Sequence, residues 1–92
     1  MISCEGDRCT VHGPITITNA AEMLAESATH FTGNHLVVDL AGVTDVDSAA
    51  VSLLLEWRRA AKRANRYIEF VNLPQSLRSL ADLYGVSDLI TA

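Results

Sequence analysis

HLVVDLAGVTDVDSAAVSLLLEW, residues His35–Trp57, changes character twice. Leu36, Val37, Val38 and Leu40 follow one another with little alternation, which predicts a strand over His35–Leu40 covered on both faces. Gly42 and Thr44 are expected to turn the chain into a loop. Asp47 and Ser48 then stand directly before an apolar helical run, where N-cap residues belong. A serine there is exposed among backbone N–H groups that lack helical partners. That suits a docking point or a phosphate acceptor. The simpler alternative is that Asp47 and Ser48 only cap the helix.

The helix is predicted from about Ala49 to Ala64. Its apolar set is Ala50, Val51, Leu53, Leu54, Leu55, Trp57, Ala60, Ala61 and Ala64. At about 100° per residue these cover roughly 220°, wider than a core-facing stripe. One shoulder, either Val51–Leu55 or Leu53–Trp57, is therefore expected to stay exposed as a docking surface. Leu55 is the shoulder residue nearest Ser48 and Ser52 on the helical wheel. The alternative is that strand edges and a neighbouring helix bury both shoulders. Arg58, Arg59, Lys62 and Arg63, with Arg66 just beyond, suit the negative end of the helix dipole. A salt-bridging role toward an acidic partner fits them better than nucleic acid or lipid headgroups, because the chain is acidic and no aromatics are interleaved.

On the N-terminal side, Ile2–Cys4 and Arg8–His12 are predicted to pair as a hairpin around Gly6, with Cys9 and Val11 facing the core. Cys4 and Cys9 could then meet across two strands, but free thiols are the expectation for a cytoplasmic protein. Gly13-Pro14 is expected to end the hairpin region. A first helix begins near Thr18 or Asn19, with Asn19 and Glu22 resembling a capping box. Ala20, Met23, Leu24, Ala28 and Phe31 form its buried stripe, and Gly33 is placed to stop it. On the C-terminal side, Tyr67–Val71 is a strand. Gln75–Tyr84 is a helix burying Leu77, Leu80, Ala81 and Tyr84, and Gly85 is its C′ residue. Val86, Leu89 and Ile90 suggest a last apolar turn.

Ninety-two residues suit one domain, 1–92, with one core. Apolar content is 49% with only 5% aromatic, so that core must be aliphatic. A formal charge of −4 argues against general nucleic-acid binding. No apolar run approaches the ~20 residues that span a bilayer, and the start lacks a signal peptide's features. A cytoplasmic location, with membrane contact only through a partner, is the expectation. His12, His30 and His35 are dispersed, and Asp39, Asp45 and Asp47 are too ordinary a set to indicate a metal. No phosphate-cradling loop, dinucleotide turn or Ser–His pairing is legible. A binding module without catalysis, metal or cofactor is expected.

Val38-Asp39-Leu40-Ala41-Gly42-Val43 followed by Asp47-Ser48-Ala49-Ala50-Val51 resembles the central signature of STAS domains, the family of sulfate transporters and anti-sigma factor antagonists. Gly13-Pro14-Ile15 and the Leu-Tyr-Gly-Val of residues 83–86 extend the likeness. The resemblance implies an α/β STAS fold: a mixed sheet of about four to five strands with helices mainly on one face. Within the family, the short chain and trimmed hairpin resemble the stand-alone STAS subunit of Mla-type phospholipid ABC transporters of Gram-negative bacteria. That likeness implies binding to the transporter's ATPase, in complex with its permease, peripheral to the inner membrane, in support of outer-membrane lipid asymmetry. Asp47, Ser48, Ala49, Val51, Ser52, Leu55 and Arg59 are the partner-binding residues expected on this reading. The alternative is an anti-sigma factor antagonist with Ser48 phosphorylated by its partner kinase. Ala50 stands where the family's motif has Gly, which favours the transporter subunit.

Overall fold

A computed structural model describes residues 1–91. Its elements run β1 (Ile2–Glu5), β2 (Arg8–Ile15), α1 (Ala20–His30), β3 (His35–Val46), α2 (Ser48–Arg63), β4 (Tyr67–Val71), α3 (Gln75–Leu83) and α4 (Ser87–Thr91). Among the described residues the strands form one sheet in the order β1-β2-β3-β4. The first pair is antiparallel and the other two are parallel. The expected mixed sheet with β3 inside it is therefore present.

The hairpin closes through Gly6 and Asp7, with Gly6 at φ +62°. A positive φ at the first of two turn residues matches the right-handed twist of the flanking strands. Cys4 and Cys9 fall directly opposite in this register and are joined as a disulfide, with Cα atoms 4.0 Å apart. The expectation of free thiols is thus corrected. It rested on compartment chemistry, whereas strand register decides whether two sulfurs meet.

β3 is twice the length that its opening residues suggest, because Gly42 and Thr44 do not turn it. The pairing with β2 slips by one residue between Asp39 and Gly42 and again between Val43 and Val46. Each slip is a bulge that bends the strand without ending it. Gly42 is needed there for close approach: a Cβ would lie 2.8 Å from His12 Nδ1 and 3.0 Å from the Val11 carbonyl oxygen. Gly13 and Pro14 likewise continue β2. β1 pairs only as far as Val11, so the missing Pro14 N–H interrupts no bond to β1.

Burial alternates along β2 and β3, which corrects the strand covered on both faces. Cys9, Val11, Ile15, Leu36, Val38 and Leu40 are buried, and Phe70 of β4 joins them. The other face carries Arg8, Val37, Asp39 and Glu69, all exposed or half-buried. The core lies between the first face and the helices, through Met23, Phe31, Leu54, Trp57, Leu77, Ala81 and Ile90. Trp57 meets Phe31 edge-on at 5.0 Å between ring centroids, and stacks 6.5 Å from Phe70. Each such side chain contributes about 1.5–3 kcal/mol through burial.

The stripe expected on α1 is rotated. Met23 and Phe31 are buried, but Leu24 and Ala28 are exposed, and Ser27 is inside. Ser27 is accommodated because its Oγ accepts from Trp57 Nε1 at 2.8 Å and donates to the Leu24 carbonyl at 2.6 Å. A serine that satisfies a buried indole N–H gives no periodic signal. α1 ends when the Phe31 N–H donates to Ser27 O, before Gly33 is reached. α2 and α3 end alike. Arg66 N–H donates to Ala61 O and Val86 N–H to Ala81 O, with Asn65 and Gly85 as the C′ residues. These are the paired bonds of Schellman caps, as expected at Gly85. Ile90 is buried as expected, whereas Tyr84 and Leu89 are exposed.

Candidate partner-binding groove

The head of α2 is fixed by Asp47, not by Ser48. One Asp47 carboxylate oxygen accepts from Ala49 N at 2.8 Å, and the other accepts from Ile17 N at 3.0 Å. The residue caps α2 and pins the loop that leads into α1. Asn19 makes no capping bond to α1. Its side chain accepts from Thr16 N at 2.8 Å and donates to Pro14 O at 2.7 Å, so the expected capping box is replaced by a brace across the same loop.

Ser48 is the first residue of α2 and is exposed. It lies at the end of a groove of about 490 Å³ between α1 and α2. Ser48, Ala49, Ser52 and Arg59 line one wall, and Ile17, Ala21 and Leu24 line the other. Ile17 is 79% exposed and Leu24 38%. The remaining expected partner-binding residues lie elsewhere. Val51 is buried beneath the helix, and Leu55 is half-buried against the core, outside the groove.

The exposed shoulder of α2 is also corrected. Val51, Leu53, Leu54 and Trp57 are all buried, and Leu55 retains only part of its surface. The sheet and the other helices together cover an arc wider than one neighbour could. Uncovered apolar surface sits across the groove instead, on Ile17 and Leu24. Sequence reasoning assigned Leu24 to the core and Ile17 to nothing. The available hint was an isolated isoleucine in Thr16-Ile17-Thr18, which neither strand nor helix periodicity claims.

Arg59 is held by the groove's one carboxylate. Glu56 accepts from Arg59 at 3.0 and 3.2 Å and from Arg63 at 3.2 Å. The Arg59 and Arg63 bonds hold the Glu56 carboxyl below its usual range. Among the described residues no group of three or more His, Cys, Asp or Glu is placed to hold a metal ion. No described helix is long and apolar enough to cross a membrane.

The family model described as "Mlab, STAS domain" matches residues 3–91. The chain belongs to the STAS domain family. Over 52 residues it is 35% identical to the intermembrane phospholipid transport system binding protein MlaB of Haemophilus influenzae, covering 56% of this chain and 50% of that one. The STAS chain thus spans about half the length of that curated relative. Its fold is similar to that of the anti-sigma factor antagonist SpoIIAA in its unphosphorylated form, with a TM-score of 0.75 at 12% identity, over 99% of this chain and 84% of that one. The crystal structure of Mglu gives a TM-score of 0.57 at 24% identity, over 82% of this chain but 19% of that one. Both structural likenesses speak for the STAS fold alone.

Proposed function

We propose that this STAS domain acts as a single, non-catalytic binding subunit of a phospholipid ABC transporter, docking on its ATPase through the Ser48 end of α2. The observation that carries the reading is the groove itself. It brings Ser48, Ser52 and Arg59 against an uncovered apolar rim, Ile17 and Leu24, which no element of the fold claims. An apolar rim beside fixed polar groups is the composition of a protein-binding patch. The kinship with MlaB supplies the transporter. On this reading the chain stays in the cytoplasm and reaches the inner membrane through the ATPase and permease. Co-expression with an Mla-type ABC ATPase from the same genome should give a complex that survives size-exclusion chromatography. An ATPase of that type that never co-elutes would count against the reading.

One observation favours a second reading. Ser48 presents an exposed hydroxyl at the head of a helix, in the fold that SpoIIAA shares. In an anti-sigma factor antagonist that hydroxyl would receive phosphate from a partner kinase, and the added charge would release the partner. A neighbouring kinase-like anti-sigma factor that phosphorylates the chain, and fails on Ser48→Ala, would establish it.

A further inference from the structure

A second concave region lies at the opposite end of α2. A cleft of about 320 Å³ opens between the C-terminal half of α1, α2 and β4. Its walls are apolar, including Leu24, Phe31, Leu36, Trp57, Ala60 and Ile68. That volume is at the lower end for a small-molecule site. Beside it is a shallower cleft of about 230 Å³ lined by Arg58, Lys62, Arg66, Tyr67 and Ile68. Arg66 and Ile68 line both, so the two adjoin.

The electrostatics are lopsided. Five of the seven Lys and Arg residues of the chain fall within 58–66. Net charge therefore hides a basic end on an acidic molecule. No carboxylate lines the shallow cleft. The one carboxylate in the deeper cleft, Glu56, is neutralised by Arg59 and Arg63. Arg66 donates to the Phe31 carbonyl, which fixes its guanidinium at the junction and leaves donors over. Arg58 and Lys62 are exposed and make no ion pair among the described residues. A helix C-terminus accounts for some positive charge, but its dipole equals only about half an elementary charge and fades within one turn. Three cations around one concavity exceed that requirement.

We infer that the adjoining clefts bind a single-chain anionic amphiphile, with the alkyl chain in the apolar cleft and a phosphate or carboxylate head against Arg58, Lys62 and Arg66. The head-group residues Arg58, Lys62 and Arg66 lie outside the docking groove, although Leu24 and Glu56 line both that groove and the apolar cleft. The chain's one tryptophan, Trp57, lines the apolar cleft and serves as the probe.

The test titrates the purified chain with dodecyl phosphate, dodecanoate, dodecyl maltoside and inorganic phosphate, each below any micelle concentration, while following Trp57 fluorescence. Dodecyl phosphate and dodecanoate should shift the emission saturably, and the neutral maltoside should bind about tenfold more weakly or worse. Whichever of the two acids binds tighter identifies the head group. Arg58→Ala with Lys62→Ala, at two exposed positions, should keep the melting temperature and remove most of that preference. Ala60→Phe should abolish the shift by filling the cleft, and its melting curve reports whether the fold is retained. Equal binding of maltoside and dodecyl phosphate would overturn the inference. So would inorganic phosphate competing as well as the amphiphile, an unaltered preference in the double variant, or no saturable shift at all.

Discussion

At the head of α2 the structure assigns the capping role to Asp47, and the proposed docking role falls to the adjacent Ser48. Asp47 fills its role through bonds to Ala49 N and Ile17 N. Asp47→Ala should therefore cost about 1–2 kcal/mol in a urea melt, whereas Ser48→Ala should cost under about 0.5 kcal/mol. Equal losses at both positions would return Ser48 to the cap. Asp39 is the corresponding case on the open face of the sheet. Its carboxylate accepts from Ala41 N at 2.9 Å, Arg8 at 2.8 Å and Asn72 at 3.2 Å. The Ala41 bond, and then those of Arg8 and Asn72, lower its pKa against the opposing effect of burial. A carboxyl depressed in the folded state adds stability above its unfolded pKa and loses it as the pH falls through the folded one. The advantage of the wild type over Asp39→Asn should thus be about 1 kcal/mol at pH 7 and should shrink as the pH drops below 3.8. A difference that persists unchanged at pH 2 would mean that the charge is not what Asp39 contributes.

Among the elements, β3 is the one the sequence renders least faithfully. Its opening six residues announce a strand, but bulges and a glycine packed under His12 carry it six residues further, and neither leaves a periodic trace. The end of α3 is more legible, because Gly85 is chemically suited to the cap it forms. The rotated face of α1 is illegible for a different reason. Its buried polar residue answers an indole thirty positions away. Hydrogen exchange should protect Val37–Asp39 and the paired segment of β2 most strongly, since they lie in the sheet interior, with β1 and α4 exchanging sooner. Uniform protection across all four strands would contradict that order. In the β1–β2 hairpin, thiol titration of denatured, unreduced protein should find no free sulfhydryl. Reduction should cost about 2 kcal/mol, the loop-closure value for a cross-link this short. Two titrating thiols would restore the free pair.

At the scale of the whole molecule, α2 is the axis on which the account turns. Its buried side holds the core together through Leu54 and Trp57. Its N-terminal end opens into the groove of Ser48, Ile17 and Leu24, and its C-terminal end into the basic clefts. The fold and the place of the Asp47-Ser48 stretch at the head of α2 were legible in the sequence, because an apolar strand and an apolar helix flanking acidic and hydroxyl residues form a local pattern. The far wall of the groove was not, because Ile17 and Leu24 reach Ser48 only once the sheet has brought α1 beside α2. The central claim is that this groove is where the ATPase docks. Calorimetric titration of that ATPase with wild-type and Ser48→Asp protein, at matched melting temperatures, tests it most directly. Asp suits a helix N-terminus, so the variant should fold normally. A charge placed in a surface desolvated on association should nonetheless weaken binding about tenfold or more. Equal affinity of the two proteins would place the interface elsewhere.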